Sequence, residues 1–190
     1  MARMNANIRI VQVCWIVLIG VWAILAFAAK PNRERDPLPS QLRYRILTLL
    51  SYVLMFTPWT SKSGLGQTWA PAGREEGIGA ALAVLGVVLA IWARLSIGRN
   101  WSGVVTLKED HRLIRTGPYA RICHPIYSGI ILAMAGTALV NRRWAGLLAV
   151  LMITTAFLMK VRVEERLMKR VFGSEYEVYQ QHTGAFLPRF

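Results

Sequence analysis

The residues best suited to chemistry form two clusters in the C-terminal half of the chain. The first, residues 116–129, contains His124-Pro125 and two tyrosines, Tyr119 and Tyr127. Pro125 suits the first position of a helix, which leaves the backbone groups before it free to meet a ligand. The alternative is a membrane-entry loop with the tyrosines as interface anchors and His124 as a solvated cap, because short motifs often match by chance.

The second cluster is Arg162-Val163-Glu164-Glu165-Arg166, which directly follows an apolar run. In one interpretation a glutamate turns inward and binds a polar or cationic ligand, since ionisable groups near bilayer depth are commonly functional. In the other, the charges form a solvated helix face, with Glu165 and Lys169 paired four residues apart. The sequence alone leaves both interpretations open.

The composition indicates a membrane protein. Of the 190 residues, 54% are hydrophobic and 17% are charged, with a mean hydropathy of +0.36, whereas a soluble domain has about 25% charged residues. The net charge of +13 indicates a basic cytoplasmic face against anionic lipid, with no nucleic acid partner, because the basic residues lie between apolar runs. The histidines lack metal-ligand spacing and the two cysteines lie far apart, so we expect neither a metal site nor a disulfide framework.

Five apolar runs predict about five transmembrane helices, since a span needs roughly 20 apolar residues. The second run is weakened by Arg43 and Arg45, and the fourth is short. Asn141-Arg142-Arg143 predicts a tight turn, so the last two runs should form an antiparallel hairpin. The runs are residues 8–29, 42–59, 77–95, 126–140 and 144–160.

We predict a single membrane domain, residues 1–190, with three helices in residues 1–95 and a catalytic part in residues 96–190. Within the catalytic part, residues 104–107 are typical of a short extended piece. The fifth helix should continue beyond the membrane to Phe172 and stop at Gly173. Ser174 and Glu177 have the spacing of a capping box that opens a short final helix.

The distribution of basic residues predicts the orientation. With five spans, one side of the membrane has 6 Lys and Arg residues and the other has 17, whereas omission of the second span would give 9 and 14. Cytoplasmic loops carry the excess of basic residues. The N-terminus should therefore lie outside and the C-terminus in the cytoplasm.

Together the two clusters resemble the isoprenylcysteine carboxyl methyltransferase family and its bacterial relatives. That family has G-x-Y-x-x-x-R-H-P-x-Y-x-G, a helical hairpin, E-E-x-x-L, F-G-x-E-Y-x-x-Y and a terminal L-P. The chain matches from about Arg94 to Phe190, and its residues 95–102 resemble the bacterial members, which indicates a prokaryotic inner membrane. Cys123 stands where the family has Arg before His-Pro, and Met168 replaces the Leu of E-E-x-x-L.

The resemblance implies methyl transfer from S-adenosylmethionine to the carboxylate of a lipophilic, isoprenylcysteine-like substrate that enters from the bilayer. The last two helices and a helical C-terminal cytoplasmic segment would complete the cofactor pocket. The implied cofactor-binding residues are Tyr119, His124, Pro125, Tyr127, Glu164, Glu165, Tyr176 and Tyr179. The implied catalytic residues are Arg162, Glu165 and Asn100.

Such a reaction needs alignment and exclusion of water rather than a strong base, because the acceptor carboxylate is already ionised and the sulfonium methyl already activated. An arginine near the acceptor would hold its carboxylate bidentately. The candidates are Arg94, Arg99, Arg121 and Arg162.

Three other functions are compatible with the sequence. A phospholipid or small-thiol methyltransferase would use the same scaffold with another acceptor. A membrane sterol-type reductase would place NADPH in a similar position, although the Glu164-Glu165 pair fits a sulfonium better than a phosphorylated dinucleotide. A small membrane scaffold or transporter subunit would bind no cofactor.

Overall fold

The computed structural model describes residues 6–27, 32–35, 38–57, 63–69, 73–101, 106–108 and 113–189. These residues form a helical membrane protein with one short pair of antiparallel strands. Its elements are α1 (Ala6–Ala26), β1 (Asn32–Arg35), α2 (Leu38–Phe56), α3 (Arg74–Ile97), β2 (Thr106–Lys108), α4 (Pro125–Asn141), α5 (Trp144–Phe172) and α6 (Ser174–His182).

Each predicted apolar run lies mainly on a helix, and residues 28–29 and 58–59 at the ends of the first two runs lie outside the described residues. Among the described helices, α1, α3 and α5 are long and apolar enough to cross a membrane, and α4 is a shorter apolar helix of 17 residues. α2 is less apolar because Gln41, Arg43 and Arg45 occupy its first half. The all-α integral membrane fold is therefore confirmed, and α2 is the one long helix among the described residues without a stretch apolar enough to be a candidate membrane span.

Helices α3 and α4 pack closely because glycines face each other. A Cβ added at Gly129 would lie 2.6 Å from both Ala90 N and Gly86 O. Any larger side chain there would clash with the backbone of α3, and the two helices would have to repack. A Cβ at Gly79 would lie 2.6 Å from Gly136 O. Small residues let helix backbones approach closely in membranes, and here they fix the start of α4 against α3.

The predicted hairpin between the last two long helices is present. Arg142 adopts a left-handed conformation with φ of 53°, and its N–H donates to Ala138 O at 2.8 Å. Its guanidinium pairs with the buried carboxylate of Glu76 at 2.9 Å, which ties the turn to α3.

Arg94 joins the ends of two helices. Its Nη1 donates to Gly98 O at 2.8 Å and its Nη2 to Leu25 O at 2.7 Å, and its guanidinium lies 4.5 Å from the Trp101 ring centroid. The residue is 1% exposed. Arg94 therefore serves the carbonyl groups of helix C-termini, which a helix cannot satisfy by itself, and is not placed to hold a substrate carboxylate.

The other local predictions have mixed outcomes. β2 overlaps the predicted extended piece, of which residues 104–105 lie outside the described residues. Gly173, with φ of 52°, ends α5 as predicted. The capping box is wrong, because Gly173 is the N-cap of α6 and no side chain caps it. Its carbonyl accepts from the N–H groups of Tyr176 and Glu177, which places Ser174 inside the first turn.

Candidate active site

His124 lies immediately before α4 and is buried, with 7% exposure. Its Nε2 is 3.2 Å from Glu165 Oε1, and its Nδ1 is 3.8 Å from Glu164 Oε2. Pro125 occupies the first helical position, as predicted. The interpretation of His124 as a solvated cap is therefore wrong, because its ring bridges the start of α4 and the pair of glutamates on α5.

Tyr127 strengthens this bridge. Its hydroxyl donates to Glu164 Oε2 at 2.8 Å. Its ring stacks on His124, with centroids 5.7 Å apart, and on Phe157, with centroids 4.7 Å apart. The side chains of Glu164 and Glu165 keep 31% and 26% exposure. Their carboxylates are thus held from one side and retain acceptor capacity on the other.

The segment after α6 packs against the start of α4 and holds it by backbone hydrogen bonds. Cys123 N–H donates to Gly184 O at 2.8 Å, and His124 N–H donates to Ala185 O at 3.1 Å. The Ser128 hydroxyl donates to Phe186 O at 2.6 Å, one turn inside α4. Residues 184–186 therefore fix the backbone that carries His124.

Three tyrosines, which we call the tyrosine wall, pack between α6 and the loop that precedes α4. They are Tyr119 of the loop and Tyr176 and Tyr179 of α6. The Tyr179 hydroxyl donates to Tyr119 O at 2.8 Å, and the rings of Tyr176 and Tyr179 lie 5.9 Å apart. All three side chains are buried, and burial raises the pKa of each hydroxyl above its ordinary value. They stay neutral, and Tyr179 positions the loop that leads to His124.

Cys123 occupies the position where the resembling family has arginine. Its Sγ lies 2.8 Å from Thr183 Oγ1 and packs against Tyr176 and Tyr179. Burial raises the pKa of its thiol. This position therefore holds a neutral side chain, and any cation that the site needs must come from another residue.

The remaining predicted residues, Arg162 and Asn100 with the candidate arginines Arg99 and Arg121, differ in their exposure. Arg162 is exposed on α5, and Arg99 and Arg121 are also exposed. Asn100 ends a 3₁₀ turn, Gly98–Asn100, after α3. Within the described residues its Oδ1 is buried without a hydrogen-bond partner. The catalytic roles of Arg162 and Asn100 stay predictions.

Lys160 is a residue that the sequence analysis missed. It is 8% exposed, and its Nζ lies 5.1 Å from the Tyr127 ring centroid and 5.8 Å from that of Tyr44. It precedes Glu164 by four residues, so both side chains lie on one face of α5. A lysine at the end of an apolar run and four residues before Glu164 is a sequence pattern that could have indicated a buried cation, whereas the sequence analysis proposes only arginines as partners of the acceptor carboxylate.

Comparison with known proteins identifies the class to which this fold and site belong. The family model described as phospholipid methyltransferase matches residues 76–175, which contain all but the first two residues of α3, the whole of α4 and α5, and both glutamates. The chain belongs to this family of membrane methyltransferases. Within it, the predicted resemblance to isoprenylcysteine carboxyl methyltransferases is confirmed by similar proteins of that name.

A rice (Oryza sativa subsp. indica) protein described as a probable protein-S-isoprenylcysteine O-methyltransferase is 29% identical over 114 residues, covering 58% of this chain and 60% of the rice protein. The cobalt-zinc-cadmium resistance protein CzcN of Cupriavidus metallidurans is 31% identical over 111 residues, covering 57% of this chain and 48% of that protein. A solved structure of the eukaryotic intramembrane Ras methyltransferase ICMT superposes with a TM-score of 0.58 at 27% identity, covering 80% of this chain and 53% of that chain. The matched part of this chain thus spans about half to three-fifths of these relatives.

Proposed function

We propose that this protein transfers a methyl group from S-adenosylmethionine to the carboxylate of a lipophilic, isoprenylcysteine-like acceptor. The observation that carries the proposal is the network of His124, Tyr127, Glu164 and Glu165 at the junction of α4 and α5. Membership of a methyltransferase family and similarity to named isoprenylcysteine methyltransferases support it.

The residues present fit the proposed cofactor. Two partly exposed carboxylates can accept from cofactor hydroxyl or ammonium groups, and a sulfonium is favoured near carboxylates and aromatic faces. When bound, S-adenosylmethionine supplies an activated methyl group. Glu164 and Glu165 would hold its polar groups, and His124 and Tyr127 would fix the two carboxylates by the contacts already described.

Lys160 is the best-placed cation for the acceptor carboxylate. It is buried between the rings of Tyr44 on α2 and Tyr127 on α4, one turn before Glu164 on the membrane side of α5. A lipophilic acceptor would keep its tail among the apolar helices while its carboxylate met this ammonium group. The Lys160 charge would then orient the acceptor, whereas Arg162 is exposed.

The protein's own contribution is orientation and exclusion of water. The tyrosine wall and residues 183–186 cover the loop behind His124. Because the acceptor is ionised at neutral pH, no residue has to remove a proton from it, and holding the reactants in line is the main requirement. An alcohol or amine acceptor would instead need a general base.

Ligand titration of the purified protein tests the cofactor. We expect saturable binding of S-adenosylhomocysteine and none of NADPH, with affinity reduced about tenfold or more in Glu164→Gln and Glu165→Gln, since a charged hydrogen bond contributes about 1.5–3 kcal/mol. Glu175→Gln on α6 is the matched control, because that carboxylate pairs with Arg115 on the surface. Unchanged affinity in both test variants, or tight NADPH binding, would contradict the proposal.

Transfer of labelled methyl groups tests the acceptor. N-acetyl-farnesylcysteine should become a base-labile methyl ester, whereas N-acetylcysteine should not, because each buried methylene of the tail contributes about 0.8 kcal/mol to binding. Phosphatidylethanolamine and methanethiol test the second candidate, a phospholipid or small-thiol methyltransferase, of which the phospholipid form agrees with the name of the matching family. Transfer to one of these alone would retain the cofactor and reject the carboxylate acceptor.

We also propose that the N-terminus lies outside and the C-terminus in the cytoplasm of a prokaryotic inner membrane. The uneven distribution of 23 basic residues supports this orientation. Gln67 and Ser174 are exposed on loops or helices at opposite ends of the bundle. In a cysteine-free background, an impermeant reagent should label Gln67→Cys and not Ser174→Cys in intact cells, and the reverse pattern would overturn the orientation.

A further inference from the structure

A cavity of about 480 Å³ lies at the end of the bundle opposite the candidate active site. Its wall includes Val11, Trp15 and Ile16 of α1, Phe56 of α2, and Asn141 and Arg143 at the turn between α4 and α5. Glu165 follows Arg143 by some 22 helical residues, a separation of about 30 Å along α5. This volume is within the roughly 300–1,000 Å³ of small-molecule sites.

The cavity has a charged end. Arg142 is paired with Glu76, but within the described residues Arg143 has no carboxylate partner. The neighbouring Asn141 amide donates to Met55 Sδ at 3.9 Å, a long bond to a weak acceptor. An arginine in this position can bind a phosphate oxygen pair bidentately.

Most of the remaining wall is apolar, with Gln12 and Thr137 as its polar members. Trp15 is buried, and its indole N–H is already used by Thr137 at 2.9 Å, so it offers a ring face and no donor. Ile16 and Phe56 are 69% and 47% exposed at the cavity's edge. A long apolar chain could therefore enter from the membrane while its polar end stays beside Arg143.

We propose that this cavity binds an anionic membrane phospholipid, with its phosphate on Arg143 and an acyl chain between α1 and α2. The charge of Arg143 selects the headgroup, and the surface of Trp15, Ile16 and Phe56 accommodates the chain. The bound lipid would join the N-terminal helices to the hairpin of α4 and α5. This second site is separate from methyl transfer, and its test needs no methyl donor.

Native mass spectrometry of the purified full chain can measure the lipid directly. Phosphatidylglycerol and phosphatidylcholine of equal chain length are added in competition, and we expect one phosphatidylglycerol to be retained preferentially. Arg143→Gln should reduce that preference about tenfold, as for loss of a charge-assisted contact. Arg74→Gln is the matched control, because Arg74 is an exposed arginine at the same end of the bundle.

A second variant tests the cavity independently of charge. Gln12 is exposed at the cavity wall, and Gln12→Trp would fill the space and should reduce retention of both lipids. Retention of the wild-type preference in Arg143→Gln, or an equal loss in Arg74→Gln, would overturn the proposal. If Arg143→Gln does not fold, undiminished lipid retention by Gln12→Trp would overturn it alone.

Discussion

The Tyr127 hydroxyl donates a 2.8 Å hydrogen bond to Glu164 Oε2 and thereby links the first turn of α4 to the C-terminal half of α5. The two residues are 37 positions apart in the chain. Because Tyr127 also stacks on His124, a single side chain orients both acidic and imidazole groups of the candidate site.

Tyr127→Phe should weaken binding of S-adenosylhomocysteine about tenfold, because Glu164 loses the donor that holds its carboxylate. Calorimetric titration of the folded protein measures the change. Tyr52→Phe is a suitable control, since Tyr52 stacks on Phe56 far from the glutamates. Equal affinities of Tyr127→Phe and wild type would show that the hydrogen bond does not position the binding carboxylate.

Tyr179→Phe should mainly reduce stability. The hydroxyl of Tyr179 satisfies the carbonyl of Tyr119 at 2.8 Å in a buried region, and an unsatisfied buried acceptor costs about 1–3 kcal/mol. Thermal unfolding in detergent should show the loss, while affinity for S-adenosylhomocysteine at low temperature stays near that of the wild type. A large loss of affinity with unchanged stability would instead support the direct cofactor contact expected from sequence.

Lys160→Met should raise the KM for a farnesylated acceptor about tenfold or more without changing affinity for S-adenosylhomocysteine, because a charged contact to the carboxylate is lost. Steady-state methyl transfer measures the KM. Lys169→Met, on an exposed part of the same helix, is the matched control. If Arg162→Gln raised the KM and Lys160→Met did not, the acceptor carboxylate would bind Arg162, one of the four arginines that the sequence analysis offers as candidates.

Gly86→Ala should destabilise the bundle by about 1–3 kcal/mol, since its Cβ would lie 2.5 Å from Gly129 O and force α3 and α4 apart. Gly77→Ala on the same helix meets nothing within 4 Å and should not. Denaturation in mixed micelles can compare the two variants. Similar stability of both would mean that the glycine contact between α3 and α4 is dispensable.

Cys123 should resist alkylation at pH 8. Burial raises the pKa of its thiol above the ordinary value, so the reactive thiolate forms less readily in the folded protein than in the unfolded chain. In a Cys14→Ser background, iodoacetamide should modify the folded protein slowly at pH 8 and faster at pH 10, whereas the unfolded chain should react readily at both. Rapid reaction of the folded protein at pH 8 would contradict a buried, neutral thiol.

The sequence motifs predicted which side chains meet at the site, because His124, Tyr127 and the two glutamates belong to spaced patterns. They gave Arg94 the wrong role, as a candidate partner of the acceptor carboxylate, whereas its partners are backbone carbonyls. Arg94 and Leu25 are 69 residues apart in the chain. Every residue has a backbone carbonyl, so the sequence does not reveal which carbonyl an arginine will bind. Lys160 was missed for a related reason, since its importance depends on burial between two rings on other helices.

Residues 184–186, which support His124 and Ser128 through their carbonyls, follow α4, α5 and α6 in the chain and are therefore translated after them. The loop that carries His124 acquires these backbone partners only after the helices of the site have been synthesised. A chain interrupted just before Thr183 would keep every membrane helix and both glutamates, yet lack the backbone support of the histidine. Synthesis of the site's side chains and synthesis of their backbone support are thus separate events, and the order of residues along the chain makes the support the later of the two.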